Sequence, residues 1–332
     1  MLSKISNCLD WWRSSQRSMM EDFGEFMEEG IIQMQWSDGT VKRWKTFKDH
    51  WNGFVDWWKE NMGRSVEVKY PDLDKSMLSS FVRFLSVECG FRNSTVDKEL
   101  KMLKWFLRWA DRKGYVKVRD YVAFHPKMKT VRNTVVFLTT DELMRLSKLK
   151  IPADSPQYRE MTLTRDIFCL CCFTSLRFSD ATRLKTSNIQ GQHIIITTQK
   201  TNDSLAIDIN PFAREILDRY VPRAERCGTV FPHIAMSTMN IHIKQLGEMC
   251  GIDTPVTRSW FRGRDRLEET LPKWQCLSTH AARRTFICAA LSSGVSVETV
   301  MKWTGHSSYQ SMKPYIDISD EDKARAMEKV FG

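Results

Sequence analysis

Between residues 21 and 113 the apolar side chains return every three or four positions, a spacing that suits a helix and defeats a strand. Phe23, Phe26 and Met27 mark a short amphipathic helix. Val41, Trp44, Phe47, Trp51, Phe54, Val55 and Trp58 mark a longer one. Residues 73–87 and 95–113 complete an expected bundle of four, with the tryptophans, Trp11, Trp12, Trp57 and Trp58 included, read as its core. The fourth helix carries two patterns. Leu100, Leu103, Phe106, Leu107 and Ala110 form an inward stripe, while Lys98, Lys101, Lys104, Arg108 and Arg112 form a basic rail on another face. Taken alone, such a rail is an ordinary solvated helix face.

A chain of 332 residues with 42% hydrophobic composition has material for two domains, each with its own core. Its formal charge of +10 favours a polyanionic partner. Nine cysteines without regular pairing point to reduced thiols and a cytoplasmic protein. Cys169, Cys171 and Cys172 lie inside an apolar helical run, so they read as small buried residues rather than metal ligands, and no metal or other cofactor is expected. The first ten residues have no long apolar run and no stretch of the chain is apolar enough to span a bilayer, so neither export nor membrane insertion is expected.

The organisation read from these patterns is an N-terminal extension (1–20), the helical bundle (21–116), a linker (117–134) interrupted by Pro126, and a second domain (135–332). The second domain opens on Thr139-Thr140-Asp141-Glu142, a capped helix start. A buried helix over 162–173 is broken at Thr174-Ser175, and another begins at Ser179 or Asp180, which leaves Arg177 at the junction. The β-branched runs 193–198 and 205–209 form a hairpin with Lys200 near its tip. Further helices cover 212–220 and 238–250, and the segment 257–274, with Arg258, Arg262, Arg264 and Arg266, forms a basic loop or hairpin. The whole reads as mainly α with a small β-sheet.

Near the C-terminus the residue types become chemical. Thr279 can cap a helix in which His280 and Arg283, at i and i+3, share a face. A second helix ends at Gly305, placing His306 on a connection, and nine residues later a last helical piece carries Tyr315. A planar guanidinium fork suits a phosphate, and a tyrosine oxygen held in line suits attack on a phosphodiester. Each residue alone has a plainer explanation; the order and spacing together carry the inference. Residues 320–331 read as a short amphipathic helix that docks either on a neighbouring protomer or on its own domain.

These residues resemble the tyrosine recombinase family, the lambda-type integrases. The resemblance rests on Thr174-Ser175-Leu176-Arg177-Phe178-Ser179-Asp180, Gln199-Lys200-Thr201, Thr279-His280 through Arg283, Gly305-His306 and Tyr315. The wording around Ala282-Arg283-Arg284-Thr285-Phe286 and Met312-Lys313-Pro314-Tyr315 is similar to integrases of mobile elements from gut anaerobes. The resemblance implies a helical core-binding domain and an α+β catalytic domain closing on double-stranded DNA. It implies catalytic roles for Arg177, Lys200, His280, Arg283, His306 and Tyr315, with the rail aided by Lys42, Arg43, Lys45 and Lys48 as phosphate contacts. It also implies a 3′-phosphotyrosyl intermediate, paired exchanges through a Holliday junction in a homo-tetramer, and work in the cytoplasm at the nucleoid. Few residues precede the bundle, so a simple two-domain enzyme is expected, with room for DNA-bending accessory proteins. Two alternatives stay open: a type IB topoisomerase, which shares the chemistry, and a non-catalytic DNA-binding accessory factor.

Overall fold

The computed structural model describes residues 18–62, 68–116, 119–131, 134–198, 204–226 and 228–316. Trp11, Trp12 and the expected helix over 320–331 lie outside them. The chain divides into unit 1, residues 1–133 with 259–268, and unit 2, residues 134–258 with 269–332.

Unit 1 is the four-helix bundle that periodicity demands. Helix α1 (Met19–Ile32) starts at Ser18, whose hydroxyl accepts from the Met20 amide, and it buries Met19, Phe23, Phe26 and Gly30 along one side. Gly30 is required there: a Cβ at this position would meet the Trp36 ring at 2.4 Å. Helix α2 (Asp38–Met62) turns Trp44, Phe47, Trp51 and Phe54 inward. Helix α3 (Lys75–Arg83) is capped by Asp74 and runs on into a wider π turn at Phe84–Glu88. Helix α4 (Asn93–Arg112) buries the expected stripe and adds Val96 and Trp109.

The core of unit 1 is aromatic. The Phe26 ring lies 4.7 Å from Trp44, 5.1 Å from Phe106 and 5.3 Å from Trp109, all edge to face, the geometry that ring quadrupoles favour. Trp109 satisfies its buried N–H on Glu29 at 2.8 Å. Trp57 and Trp58 are half-buried at the margin of this core, and Trp105 stands 40% exposed, so the tryptophans are not uniformly interior. The expected linker also differs from expectation. Its Tyr121 is 2% exposed within the bundle core, and Phe124 and Met128 pack beside it, because a one-turn helix at Asp120–Ala123 folds back onto the bundle.

Unit 2 is arranged around one buried helix. Helix α5 (Thr140–Ser147) opens with the anticipated capping box, Thr139 and Glu142 each accepting the other's backbone N–H. Helix α6 (Tyr158–Thr174) is enclosed almost throughout its last four turns and carries Cys169, Cys171 and Cys172 inside the core. Burial pushes the Cys171 thiol up to about 12 and raises the other two as well, so all three stay protonated and behave as small apolar groups. A one-turn helix follows at Phe178–Ala181.

Strands β1 (Ile189–Gln190), β2 (His193–Thr197) and β3 (Ser204–Asp208) form an antiparallel sheet in that order, with Ile194 opposite Ile207 and Ile196 opposite Leu205. Ile194 and Ile196 face the core, while His193, Ile195 and Thr197 face solvent, the alternation of a half-buried strand. Helices α7 (Pro211–Tyr220) and α8 (Met236–Met249) cover α6. Strands β4 (Pro255–Arg262) and β5 (Asp265–Pro272) are the basic hairpin, and α9 (Thr279–Ser292), α10 (Val297–Thr304) and α11 (Tyr309–Ile316) end the described chain. Among the described residues no helix is long and apolar enough to cross a membrane.

Candidate active site

Two helices of unit 2 end in left-handed residues, and the site is built where they stop. Helix α6 ends at Ser175, with φ 61°, and α10 ends at Gly305, with φ 62°. Glycine adopts that conformation freely; for serine it is uncommon, and in this chain only Gln35 shares it among described non-glycine residues. Chain reversal at both places leaves terminal carbonyl oxygens without helical partners.

Arg283, projecting from α9 and 4% exposed, supplies those partners. Its Nη1 donates to the Ser175 carbonyl at 3.0 Å, and its Nη2 donates to the Thr304 carbonyl. The guanidinium therefore caps two helix C-termini at once, where the helix dipoles favour a cation. Burial, and then the neighbouring charge of Arg177, lower its pKa to about 10, which still leaves it charged at neutral pH.

Arg177 is the N-cap residue of the one-turn helix that follows, extended at φ −71° and ψ 149°. Its Nη1 is 3.9 Å from Asp180 and has no hydrogen-bond partner although it is buried. Two guanidinium groups thus approach one another, and one keeps an unused donor. An anion with several oxygens would satisfy that donor and screen the repulsion between the arginines.

His306 follows Gly305. Its Nδ1 lies 2.6 Å from the Thr304 hydroxyl and 3.5 Å from Arg283 Nη2. Burial, then the charges of Arg283, Arg177 and His280, lower its pKa to about 4, so the ring is neutral at physiological pH. His280 stands exposed in the first turn of α9, on the helix that also carries Arg283, and both lie within electrostatic range of His306. The start of α9 differs from expectation. The N-cap is Ser278, and the free Thr279 amide donates to Asn240 of α8 at 2.9 Å, a partner 39 residues away that no local pattern announces.

Tyr315 is 8% exposed, its ring packed with Ile287, Cys288, Val300 and Met312, and it lies within electrostatic range of Arg283. Its helix, α11, has only eight residues and contains Pro314, which lacks the N–H that would close a helical turn. Lys200 lies outside the described residues. The structure therefore gathers Arg177, His280, Arg283, His306 and Tyr315 at one place. Ser175, Asp180 and Thr304 join them and were not singled out as functional from the sequence, since nothing local distinguishes them from ordinary helix-end residues.

On unit 1 the rail is uneven. Lys98, Arg108 and Arg112 are exposed, and Lys101 is exposed but paired with Asp97 at 2.6 Å. Lys104 departs from expectation: its ammonium donates to the Phe124 carbonyl at 2.5 Å, and burial lowers its pKa, so it fastens the segment after α4 rather than waiting for a phosphate. On α2, Lys42, Arg43 and Lys45 are exposed, while Lys48 lies over the Phe23 ring at 5.6 Å. On the hairpin, Arg266 pairs with Glu268 at 2.7 Å and Arg264 points into solvent beside Asp265.

Comparison with known proteins gives the family and the fold. The profile of the phage integrase SAM-like domain matches residues 20–128. Tyrosine recombinase XerC of Oceanobacillus iheyensis is 21% identical over 310 residues, which cover 92% of this chain and 93% of the relative. A lambda integrase tetramer bound to a Holliday junction has a similar fold, with TM-score 0.62 and 14% identity over 89% of this chain and 79% of that one. So does the Tn1549 transposon integrase in complex with circular intermediate DNA, with TM-score 0.61 and 14% identity over 94% of this chain and 99% of that one. The profile of the phage integrase family matches residues 136–322, more than half of the chain and all of the described site, and the chain belongs to that family.

Proposed function

We propose that this protein is a site-specific DNA recombinase that cuts and rejoins strands through a phosphotyrosyl intermediate on Tyr315. The observation that carries the reading is the approach of Arg177, with its unused Nη1, to Arg283, within electrostatic reach of Tyr315. Two such cations would hold the non-bridging oxygens of a scissile phosphate and stabilise the charge that develops as the phosphorus becomes five-coordinate.

In that step the Tyr315 oxygen bonds to phosphorus and the bond to the 5′ oxygen breaks. The phenolic proton passes to His280, and Lys200 protonates the departing 5′ oxygen. His306 contributes a hydrogen bond to the phosphate. The 3′-phosphotyrosyl ester keeps the energy of the broken diester, so a 5′ hydroxyl of another strand can reverse the step without a nucleotide. Paired steps exchange strands through a Holliday junction. The lambda integrase tetramer on such a junction supports assembly of four copies on synapsed DNA, and the transposon integrase supports a mobile-element setting. Residues 21–116 serve as the core-binding domain and 135–332 as the catalytic domain. The exposed Lys42, Arg43, Lys98, Lys101, Arg108 and Arg112 are its phosphate contacts, the work is done in the cytoplasm at the nucleoid, and DNA-bending proteins assist it.

The test is incubation with the DNA flanking its own gene, followed by a denaturing gel. Wild type is expected to form a covalent protein–DNA adduct. Tyr315→Phe is expected to form none while still shifting the DNA on a native gel. Folded, DNA-bound wild type that yields no adduct would overturn the reading.

A further inference from the structure

Thr304 ends α10 with its side chain fully buried, and its hydroxyl has two close neighbours. Oγ1 lies 2.6 Å from the Val300 carbonyl oxygen, one turn back, and 2.6 Å from His306 Nδ1. A hydroxyl owns one proton and a carbonyl owns none. Two oxygens at 2.6 Å repel unless a proton lies between them, and here that proton is the threonine's, in the back-bond that serine and threonine often make inside helices. Oγ1 then has only lone pairs left for His306. Nδ1 must therefore be the nitrogen that carries hydrogen.

A competing donor is present. Arg283 Nη2 sits 3.5 Å from the same Nδ1 and would favour the opposite form, yet it is the longer contact and that nitrogen already donates to the Thr304 carbonyl. We propose that Thr304 is a positioning residue that holds His306 as its Nδ1–H tautomer, leaving Nε2 as an acceptor. For the role of His306 at phosphate this rests on the recombinase reading; the tautomer itself does not.

The consequence concerns protons. An Nε2 lone pair repels a non-bridging phosphate oxygen. To donate there, Nε2 must first take one proton from solvent, forming one N–H bond, and the imidazolium then donates from Nδ1 to Thr304 and from Nε2 to the phosphate. The charges around the ring oppose this before DNA arrives: Arg283 and His280 from α9, and Arg177 from the turn after α6. The cavity of about 390 Å³ that His306 lines adds Lys302 and a single carboxylate, Glu298, both from α10. Tyr315 of α11, a titratable phenol within electrostatic range of Arg283, completes the ionisable surroundings. Phosphate engagement is therefore coupled to uptake of one proton, which the phosphate's own negative charge makes favourable.

The experiment uses the full chain with ¹⁵N-labelled histidine and a long-range proton–nitrogen NMR spectrum, which separates protonated from unprotonated ring nitrogens. His306→Gln assigns the signals. Wild type is expected to show Nδ1 protonated and Nε2 bare, and an Nε2–H signal for His306 would overturn the proposal without any variant. Thr304→Val keeps the shape and removes the hydroxyl; the ring is expected to turn over to Nε2–H, with Arg283 donating to Nδ1. Thr304→Ser is expected to restore the wild-type signals. In the adduct assay the wild-type rate is expected to fall as pH rises, with a slope approaching one proton, and the Thr304→Val profile to be flatter. Superimposable spectra for wild type and Thr304→Val, or superimposable pH profiles, would refute it. Absence of any adduct would count against the recombinase reading and leave the spectra to decide the tautomer.

Discussion

Phe26 and Arg283 are both buried, at 0% and 4% exposure, yet they are held by opposite means. Phe26 packs against five other rings, those of Phe23, Trp36, Trp44, Phe106 and Trp109. Arg283 touches two carbonyl oxygens and a histidine. Unit 1 has an aromatic core with few polar groups, so whatever it offers a partner stands on the outer faces of its helices. Unit 2 has an aliphatic and thiol core, and its chemistry is sunk into that core at the places where helices end. A charged group can be buried there because helix C-termini supply unsatisfied oxygens. The bundle displays its cations; the second unit encloses them.

The largest expected effect tests the first half of that contrast. Phe26→Ala removes the ring at the centre of the aromatic cluster and should cost about 3–5 kcal/mol in denaturant unfolding. A loss below about 1 kcal/mol would mean that the cluster is not the core that holds the bundle.

The second half is tested at a helix end. Gly305→Ala forces an alanine to φ 62° and brings its Cβ to 3.2 Å from Leu205. The strain should cost about 1–2 kcal/mol. The adduct rate should fall further than that loss of stability explains, because the same turn aims His306. An adduct rate equal to wild type would show that the turn does not hold the site.

The smallest effect separates displayed from committed cations. Lys101→Ala with Arg108→Ala should leave folding nearly unchanged, weaken DNA binding and lower the slope of log affinity against log salt by about 2, roughly one per phosphate contact. Lys104→Ala, which removes an ammonium already bonded to Phe124, should leave the slope where it was. Equal slopes for all three proteins would dissolve the rail. A flattened slope for Lys104→Ala would show that its internal bond yields to DNA.

The rail shows where legibility stops. Helical spacing places Lys98, Lys101, Lys104, Arg108 and Arg112 on one face, and it does so correctly. It cannot tell that one of the five meets a carbonyl 20 residues further along the chain. The start of α9 is similar. Thr279 has the chemistry of a cap, but the donor it leaves free is met by Asn240, which belongs to another helix. The capping box at Thr139 and Glu142 was legible because both partners lie within four residues.

What the sequence determined by itself is therefore local or ordinal. It set where helices form, which faces are apolar and which are basic, and the order of the arginine, histidine and tyrosine residues that identify the family, since each of these depends on spacing along the chain. Only the tertiary structure decided the state of those residues. Ser175 lies 108 residues before Arg283, and Thr304 lies 21 after it. Carbonyls from those distant turns bury the guanidinium, and that buried charge in turn helps keep His306 neutral. Protonation and burial follow from which groups meet in space, and spacing along the chain does not contain that.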